Sequence, residues 1–198
     1  MLPINLDAAK LPIALIGEGP RAARRLELLR ESGAMRVERV SPDGDLAGFR
    51  IVYIADFDEA RSREIAARAR AAGALVNVED VTELCDFHTP ALIRRGDLTV
   101  TVATGGRAPG LAGTLAAYLG KMFGTAWAMR LDLLEAKRRN WRAQGLDHRA
   151  IREATARELD QSGWLPALPA NAEASDLSQS ANNATLRKAS LGSGYTSQ

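Results

Sequence analysis

The sequence predicts an α/β protein with a mostly parallel sheet, followed by a helical region. Short apolar runs typical of buried strands alternate with helical stretches as far as Ala103. The first run ends at a glycine turn, Gly17 to Gly19, before a helical pattern begins. Beyond Gly110 the strand pattern stops and helical periodicity remains. Alternation of this kind is typical of βαβ units, in which neighbouring strands are parallel.

The apolar runs predict five strands, and the stretches between and after them predict helices. Strands are expected at 11–16, 37–40, 49–55, 75–78 and 98–103. One helix is expected to follow the glycine turn and to stop at Gly33, and others are expected at 59–72, 111–124, 126–143 and 147–161. Residues 165–198 are rich in Ser, Asn and Ala with few large apolar side chains, which predicts a flexible, dispensable tail.

The composition excludes several broad classes of protein. The 198 residues are 46% hydrophobic and 25% charged, a balance that excludes a wholly disordered chain, a collagen-like fibre and a membrane protein. The net charge of +2 is too small to indicate a nucleic-acid partner. The single cysteine, Cys85, excludes a disulfide framework and a cysteine zinc site. Because the N-terminus does not resemble a signal peptide, we expect a cytoplasmic protein without a membrane partner.

The glycine turn carries the pattern G-x-G-x-x-A over Gly17, Gly19 and Ala22. The first glycine permits a tight turn, the second lets a pyrophosphate approach, and the alanine allows close packing of helix on strand. The N–H groups at the start of the helix would bind the phosphates. A glycine turn without a ligand is the alternative. No acidic residue clearly marks a ribose site, since Asp43 lies just past the second strand, so the choice between NAD and NADP stays open.

Asp80 closes the Asn77-Val-Glu-Asp80 segment at the end of the fourth strand. Ligands bind at this edge of open α/β sheets, so Asp80 is a candidate catalytic acid or base. It also begins a D-x-x-E pattern with Glu83, which is typical of a helix capping box. On residue types alone the cap is favoured, and both roles stay open.

Further polar residues follow the predicted fourth and fifth strands. The loop from Thr104 to Gly110 places Arg107 beside two glycines ahead of a helix, which suits either an anion site or a plain loop. Arg94 and Arg95 precede Gly96 and fit a solvated turn.

Together, five segments resemble the precorrin-2 dehydrogenase / sirohydrochlorin ferrochelatase family, the N-terminal module of siroheme synthases. They begin at Leu2-Pro-Ile-Asn-Leu6 and continue through Ile16-Gly-Glu-Gly-Pro-Arg-Ala-Ala-Arg-Arg-Leu26, Asn77-Val-Glu-Asp80, Phe87-His-Thr-Pro-Ala-Leu-Ile-Arg-Arg-Gly-Asp-Leu98 and Thr104-Gly-Gly-Arg-Ala-Pro-Gly-Leu-Ala112. Their order and spacing make the match specific. It extends to about residue 125, and more loosely to about residue 160.

The resemblance implies a Rossmann-like NAD-binding domain over 1–113, helices for homodimerisation and the C-terminal part over 114–164, and the tail over 165–198. It implies NAD-dependent oxidation of precorrin-2 to sirohydrochlorin, and in many members insertion of ferrous iron as a second activity. Asp80 would be the catalytic base. The nucleotide contacts would fall on Gly17, Gly19, Pro20, Arg21, Ser41 and Pro42. Because the tetrapyrrole substrate is a polycarboxylate, its candidate counter-charges are Arg94, Arg95 and Arg107.

The chain departs from the family at three places. The stretch from Ser41 to Arg50 is short, so one strand is expected to be missing. Asp56-Phe57-Asp58 stands where many members have Thr-Asp-Asp, and Ala108 stands where a serine is common. Two alternatives therefore remain: a non-catalytic nucleotide-binding or redox-sensing Rossmann module, and a metal-delivery protein that has lost NAD.

Overall fold

The structure, a computed structural model, describes residues 2–165. A four-stranded parallel sheet forms its centre, with strands β1 (Ile13–Ile16), β2 (Val37–Arg39), β3 (Ile51–Ile54) and β4 (Leu75–Val78). Their order across the sheet is β2-β1-β3-β4, and every neighbouring pair is parallel. All residues of β1 and β3 are buried, as strands covered on both faces require. The Rossmann-like α/β fold predicted from the sequence is confirmed.

Two helices cover the two faces of this sheet. Helix α1 (Pro20–Glu31) follows β1, and helix α2 (Glu59–Ala71) follows β3. The odd-numbered side of β1 packs with α1 in a cluster that includes Ala22 and Leu29. The other side packs with α2 in a cluster that includes Ile65. The carboxyl ends of the strands therefore share one edge of the sheet, and α1 begins at this edge.

The expected fifth strand of the parallel sheet belongs to a separate hairpin. Strand β6 (Leu98–Val102) pairs antiparallel with β5 (Ala91–Arg95), which the sequence patterns did not predict. Only Ile93 of β5 is buried, so the strand lacks the apolar run that marked the others. Helix α3 (Pro109–Met122) packs on the hairpin, with Ala112 and Ala116 buried.

The chain divides into two compact units, residues 1–127 and 128–198. The first unit includes α3, because α3 packs on β5 and β6, whereas the sequence predicts a boundary at residue 113. Helices α4 (Trp127–Ala143) and α5 (His148–Ser162) account for the described part of the second unit. Lys137 pairs with Glu158 at 2.5 Å between these helices. Beyond residue 165, the predicted tail lies outside the residues that the structure describes.

The segment between β2 and β3 contains no strand, as its short length predicts. None of the helices described over residues 2–165 has the length and apolar character needed to cross a membrane.

Candidate functional site

The glycine turn lies at the carboxyl edge of the sheet, between β1 and α1. Gly17 has φ +134°, and a Cβ there would stand 2.2 Å from the Ala55 carbonyl oxygen, so only glycine fits. Pro20 occupies the first turn of α1, where its fixed φ suits the helix and no N–H is needed. The turn therefore leads tightly into a helix N-terminus, which is the kind of place where proteins bind phosphates.

Asp56 places its carboxylate on this helix N-terminus. Its oxygens accept hydrogen bonds from the backbone N–H of Ala22 at 2.9 Å and of Arg21 at 3.4 Å. A Cβ added to Gly19 would lie 2.5 Å from the Asp56 Cγ, so the lack of a side chain there makes room for this carboxylate. Asp56 has φ +65°, a left-handed conformation that aspartate tolerates better than most residues.

Asp80 lies at the equivalent place beside the neighbouring strand. It follows the end of β4 by two residues, as Asp56 follows the end of β3, and Ile54 pairs with Val78 in the register. Asp80 also has positive φ, +63°. Its carboxylate lies 3.1 Å from the Arg21 guanidinium, and its side chain is 66% exposed. Two aspartates in left-handed conformation therefore meet the first turn of α1.

The capping-box interpretation of Asp80 is wrong. The following segment forms a single 3-10 turn, Thr82–Leu84, which is preceded by Val81 and has no side-chain cap. The Asp80 carboxylate is paired with Arg21 instead.

Residues close to Asp80 in the fold connect its loop to α1. Arg25 donates to Glu79 at 2.5 Å and to the Thr89 hydroxyl at 3.0 Å, and its guanidinium lies 4.9 Å from the centre of the Tyr53 ring. Burial raises the pKa of the Tyr53 phenol. Asn77 is buried and donates to the Phe87 carbonyl at 2.8 Å. Sequence patterns missed Asp56, Arg25 and Glu79, although Asp56 and Glu79 follow buried strands as Asp80 does.

The loop after β2 contains Ser41 and Pro42 and is held by α2. Arg68 donates to the carbonyls of Pro42 at 2.5 Å and Gly44 at 2.7 Å. Asp43 pairs with Arg61 at 2.5 Å, so its carboxylate already has a cationic partner. Arg39, the last residue of β2, donates to the Gly17 carbonyl at 3.3 Å. A guanidinium thus lies beside the glycine turn, at the end of β2.

The three arginines expected to face a polycarboxylate have different surroundings. Arg94 donates to the Glu31 carbonyl and lies near Ser32, at the end of α1. Arg95 donates to the carbonyls of Phe123 at 2.6 Å and Gly120 at 2.9 Å, at the end of α3. Both cations face helix C-termini, which carry partial negative charge.

Arg107 is exposed in the loop between β6 and α3. A Cβ at the neighbouring Gly106 would lie 3.2 Å from the Thr82 methyl group and 3.9 Å from the His88 ring. The structure therefore brings the loop of Arg107 beside the loop that follows Asp80. Arg94 and Arg95 instead contact the ends of α1 and α3.

The remaining candidates for chemistry are engaged in the fold. The Cys85 sulfur is hydrogen-bonded to the Val78 backbone N–H at 3.2 Å, and burial raises the pKa of its thiol, which disfavours the nucleophilic thiolate. Within residues 2–165, no three His, Cys, Asp or Glu side chains are grouped so as to hold a metal ion.

Comparisons with known proteins show which families and folds this chain is similar to. Residues 35–91 match a family described as "Putative NAD(P)-binding". The chain is 34% identical to a siroheme synthase of Methylococcus capsulatus, in an alignment that covers 69% of this chain and 34% of that protein. It is 35% identical to a siroheme synthase of Ectopseudomonas mendocina, in an alignment that covers 56% of this chain and 28% of that protein. The chain thus spans about a third or less of the length of these relatives.

Among solved structures, the fold is similar to that of SirC, a precorrin-2 dehydrogenase. The TM-score is 0.63 at 18% sequence identity, over 83% of this chain and 92% of that chain. The glycine turn, the parallel sheet and the family match define a Rossmann-like NAD(P)-binding protein. The sequence relatives, which are siroheme synthases, confirm the resemblance of this chain to that family.

Proposed function

We propose that the protein oxidises precorrin-2 to sirohydrochlorin with NAD. One observation carries the proposal: the glycine turn and Asp80 share the carboxyl edge of one sheet, and Arg21 in the first turn of α1 contacts Asp80 at 3.1 Å. A nucleotide on the turn would therefore end beside an accessible carboxylate. The names of the sequence relatives and of the structural neighbour favour this substrate over other tetrapyrroles.

The residues present fit a bound dinucleotide, provided that Asp56 leaves the amides of Arg21 and Ala22. The proposed contacts are Gly17, Gly19, Pro20, Arg21, Ser41 and Pro42. Bound NAD supplies the acceptor for the hydride that the substrate loses.

Side chains of this protein would remove the proton and bind the substrate. Asp80 is the proposed base that takes the proton released when the ring is oxidised, and its exposed side chain leaves room for a large substrate. Arg107 is the arginine that we keep as the counter-charge for a substrate carboxylate, because it lies exposed beside the Asp80 loop. Arg94 and Arg95 remain less suited because their guanidiniums already contact backbone carbonyls.

Replacing the base tests the proposal. We expect Asp80→Ala to abolish the rise of sirohydrochlorin absorbance from precorrin-2 and NAD, while calorimetric NAD binding survives. The control is Asp132→Ala, which removes an exposed carboxylate from α4. Unchanged turnover in Asp80→Ala would remove Asp80 from the mechanism. NAD binding without any oxidation by the wild-type protein would favour the alternative of a non-catalytic nucleotide-binding module.

We also propose that Asp80 supports insertion of ferrous iron into sirohydrochlorin. Chelation needs a base for the pyrrole protons and an open path for the metal. Asp80 would be that base, and because its side chain is 66% exposed, the tetrapyrrole and the metal can reach it. Sirohydrochlorin and ferrous iron supplied without NAD should react faster with the wild-type protein than with Asp80→Ala. A wild-type rate equal to the spontaneous background would leave the dehydrogenase as the only activity.

A homodimer is part of the proposal. Leu111, Leu115 and Tyr118 lie at i, i+4 and i+7 along α3 and are exposed, and Leu92 of β5 is exposed as well. Beside them is an open hollow of about 530 Å³, lined by β5 and by the small residues Gly113, Ala116, Ala117 and Gly120. An apolar stripe next to a shallow hollow suits a second copy of the same surface.

Light scattering after gel filtration tests the dimer. We expect two chains per particle for the wild type and a shift toward one chain in Leu115→Glu. Met35→Glu is the control, since Met35 is also exposed and apolar but lies after α1. A monomeric wild-type protein at micromolar concentration would contradict this part of the proposal.

We place the protein in the cytoplasm. The single cysteine supplies no disulfide framework of the kind that stabilises proteins in oxidising compartments.

A further inference from the structure

The amides at the start of α1 already hold an anion, and that anion belongs to the protein. The Asp56 carboxylate takes the N–H groups of Ala22 and Arg21 at 2.9 and 3.4 Å. These are the donors that a helix N-terminus offers to phosphate. The carboxylate fills the space over Gly19, where a Cβ would stand within 2.7 Å of all three carboxyl atoms. It thus occupies the place over the turn through which a pyrophosphate would approach.

A phosphate and the Asp56 carboxylate cannot use this place together. Both are anions, and each amide N–H has one hydrogen to donate. Arg21, the cation in the same helical turn, is directed toward Asp80 at 3.1 Å, which limits its screening of Asp56. Nucleotide binding must therefore rotate Asp56 away and give up its charge-assisted hydrogen bonds.

We propose that Asp56 is an internal competitor for the dinucleotide pyrophosphate and weakens nucleotide binding to this chain. The inference rests on the proposed nucleotide site and adds a residue that sets its affinity. It predicts that neutralising Asp56 tightens binding, whereas a residue that contacts the ligand would weaken binding when it is replaced.

Asp56→Asn is the first test. Asparagine tolerates the same positive φ and has nearly the same shape, but its amide is neutral. Asp56→Gly is the second variant, because glycine accepts the backbone conformation and removes the competing group entirely. Glu18→Gln is the charge control: Glu18 is exposed between Gly17 and Gly19, and its removal lowers the local negative charge without freeing the two amides.

Isothermal titration of each full-length protein with NAD, and separately with inorganic pyrophosphate, measures the effect without enzymatic turnover. We expect both Asp56 variants to bind NAD on the order of tenfold more tightly than the wild type, and pyrophosphate to follow the same order. Glu18→Gln should change the dissociation constants by less than about threefold. Circular dichroism and melting curves establish that each variant is folded.

The outcomes separate this inference from the proposed function. The role of Asp56 is overturned, and the dinucleotide site left intact, if the wild type binds NAD as tightly as both folded Asp56 variants. The same holds if Glu18→Gln lowers the dissociation constant for NAD as much as the Asp56 variants do. Weaker binding in the variants overturns it too and makes Asp56 a ligand contact. If neither the wild type nor any variant binds NAD at millimolar concentration, the dinucleotide site itself is refuted, and the inference with it.

Discussion

The Arg21 guanidinium lies 3.1 Å from the Asp80 carboxylate and thereby joins the first turn of α1 to the end of β4. The side chains are 53% and 66% exposed, so the pair contributes little to folding. The pair instead positions Arg21, which lies in the first turn of α1 and also contacts the candidate base Asp80.

Replacing Arg21 should weaken NAD binding while leaving the stability of the fold almost unchanged. We expect Arg21→Met to weaken NAD binding by about tenfold, because a cation near the phosphates is lost. The free energy of unfolding should fall by less than about 1 kcal/mol, as is usual for exposed pairs. Arg24→Met, on the exposed face of the same helix, is the matched control. Calorimetry and urea denaturation provide the two readouts. A large loss of stability with unchanged NAD affinity would show that the pair is structural.

The turn at Gly17 should be intolerant of a side chain. Gly17→Ala adds a Cβ 2.2 Å from the Ala55 carbonyl oxygen and also strains φ +134°. Gly33→Ala strains φ +78° but meets no atom within 4 Å. We expect about 1–2 kcal/mol of destabilisation for Gly33→Ala from backbone strain alone, and at least about twice that for Gly17→Ala. Equal melting temperatures for the two variants would contradict the close approach at Gly17.

Arg39 should favour a 2′-phosphate on the ribose. It ends β2 and donates to the Gly17 carbonyl, while Asp43 is paired with Arg61. An acidic residue near this place binds the ribose hydroxyls of NAD, whereas an arginine accommodates the phosphate of NADP. We expect the protein to bind NADP in addition to the proposed acceptor NAD. Arg39→Met should weaken NADP binding about tenfold more than NAD binding. Competition between the two nucleotides measures the ratio. An equal effect on both nucleotides would exclude this role.

Arg95 and Arg107 should differ in what they support. Arg95 donates to two carbonyls at the end of α3, so Arg95→Met should lower the free energy of unfolding by about 1–3 kcal/mol. Arg107→Met should leave the melting temperature unchanged and raise the KM for precorrin-2 several-fold, because Arg107 is exposed beside the Asp80 loop. Thermal melts and initial rates distinguish the two effects. A raised KM in a fully stable Arg95→Met would return Arg95 to the substrate site.

Local patterns in the sequence determined the parallel sheet, its helices and the glycine turn. Runs such as Ile13–Ile16 are apolar throughout because both faces are covered, and Gly17 is required by a backbone conformation that depends on its immediate neighbours. These properties act over a few residues, so they can be recognised in the linear chain. The pattern at the end of the fourth strand made Asp80 a candidate acid or base, and the family resemblance favoured its role as the base.

Tertiary structure alone decided which charged groups meet. Asp56 and the amide of Ala22 are 34 residues apart, and Arg94 reaches a carbonyl 63 residues away. Strand β5 was missed because only Ile93 is buried, and its hairpin with β6 depends on pairing rather than on a period of apolar residues. A charged residue in a loop has the same local pattern whether it binds substrate, caps a helix or holds a neighbouring loop. Its role is decided by the partner that folding brings to it, and folding brings the two left-handed aspartates, Asp56 and Asp80, to the start of one helix.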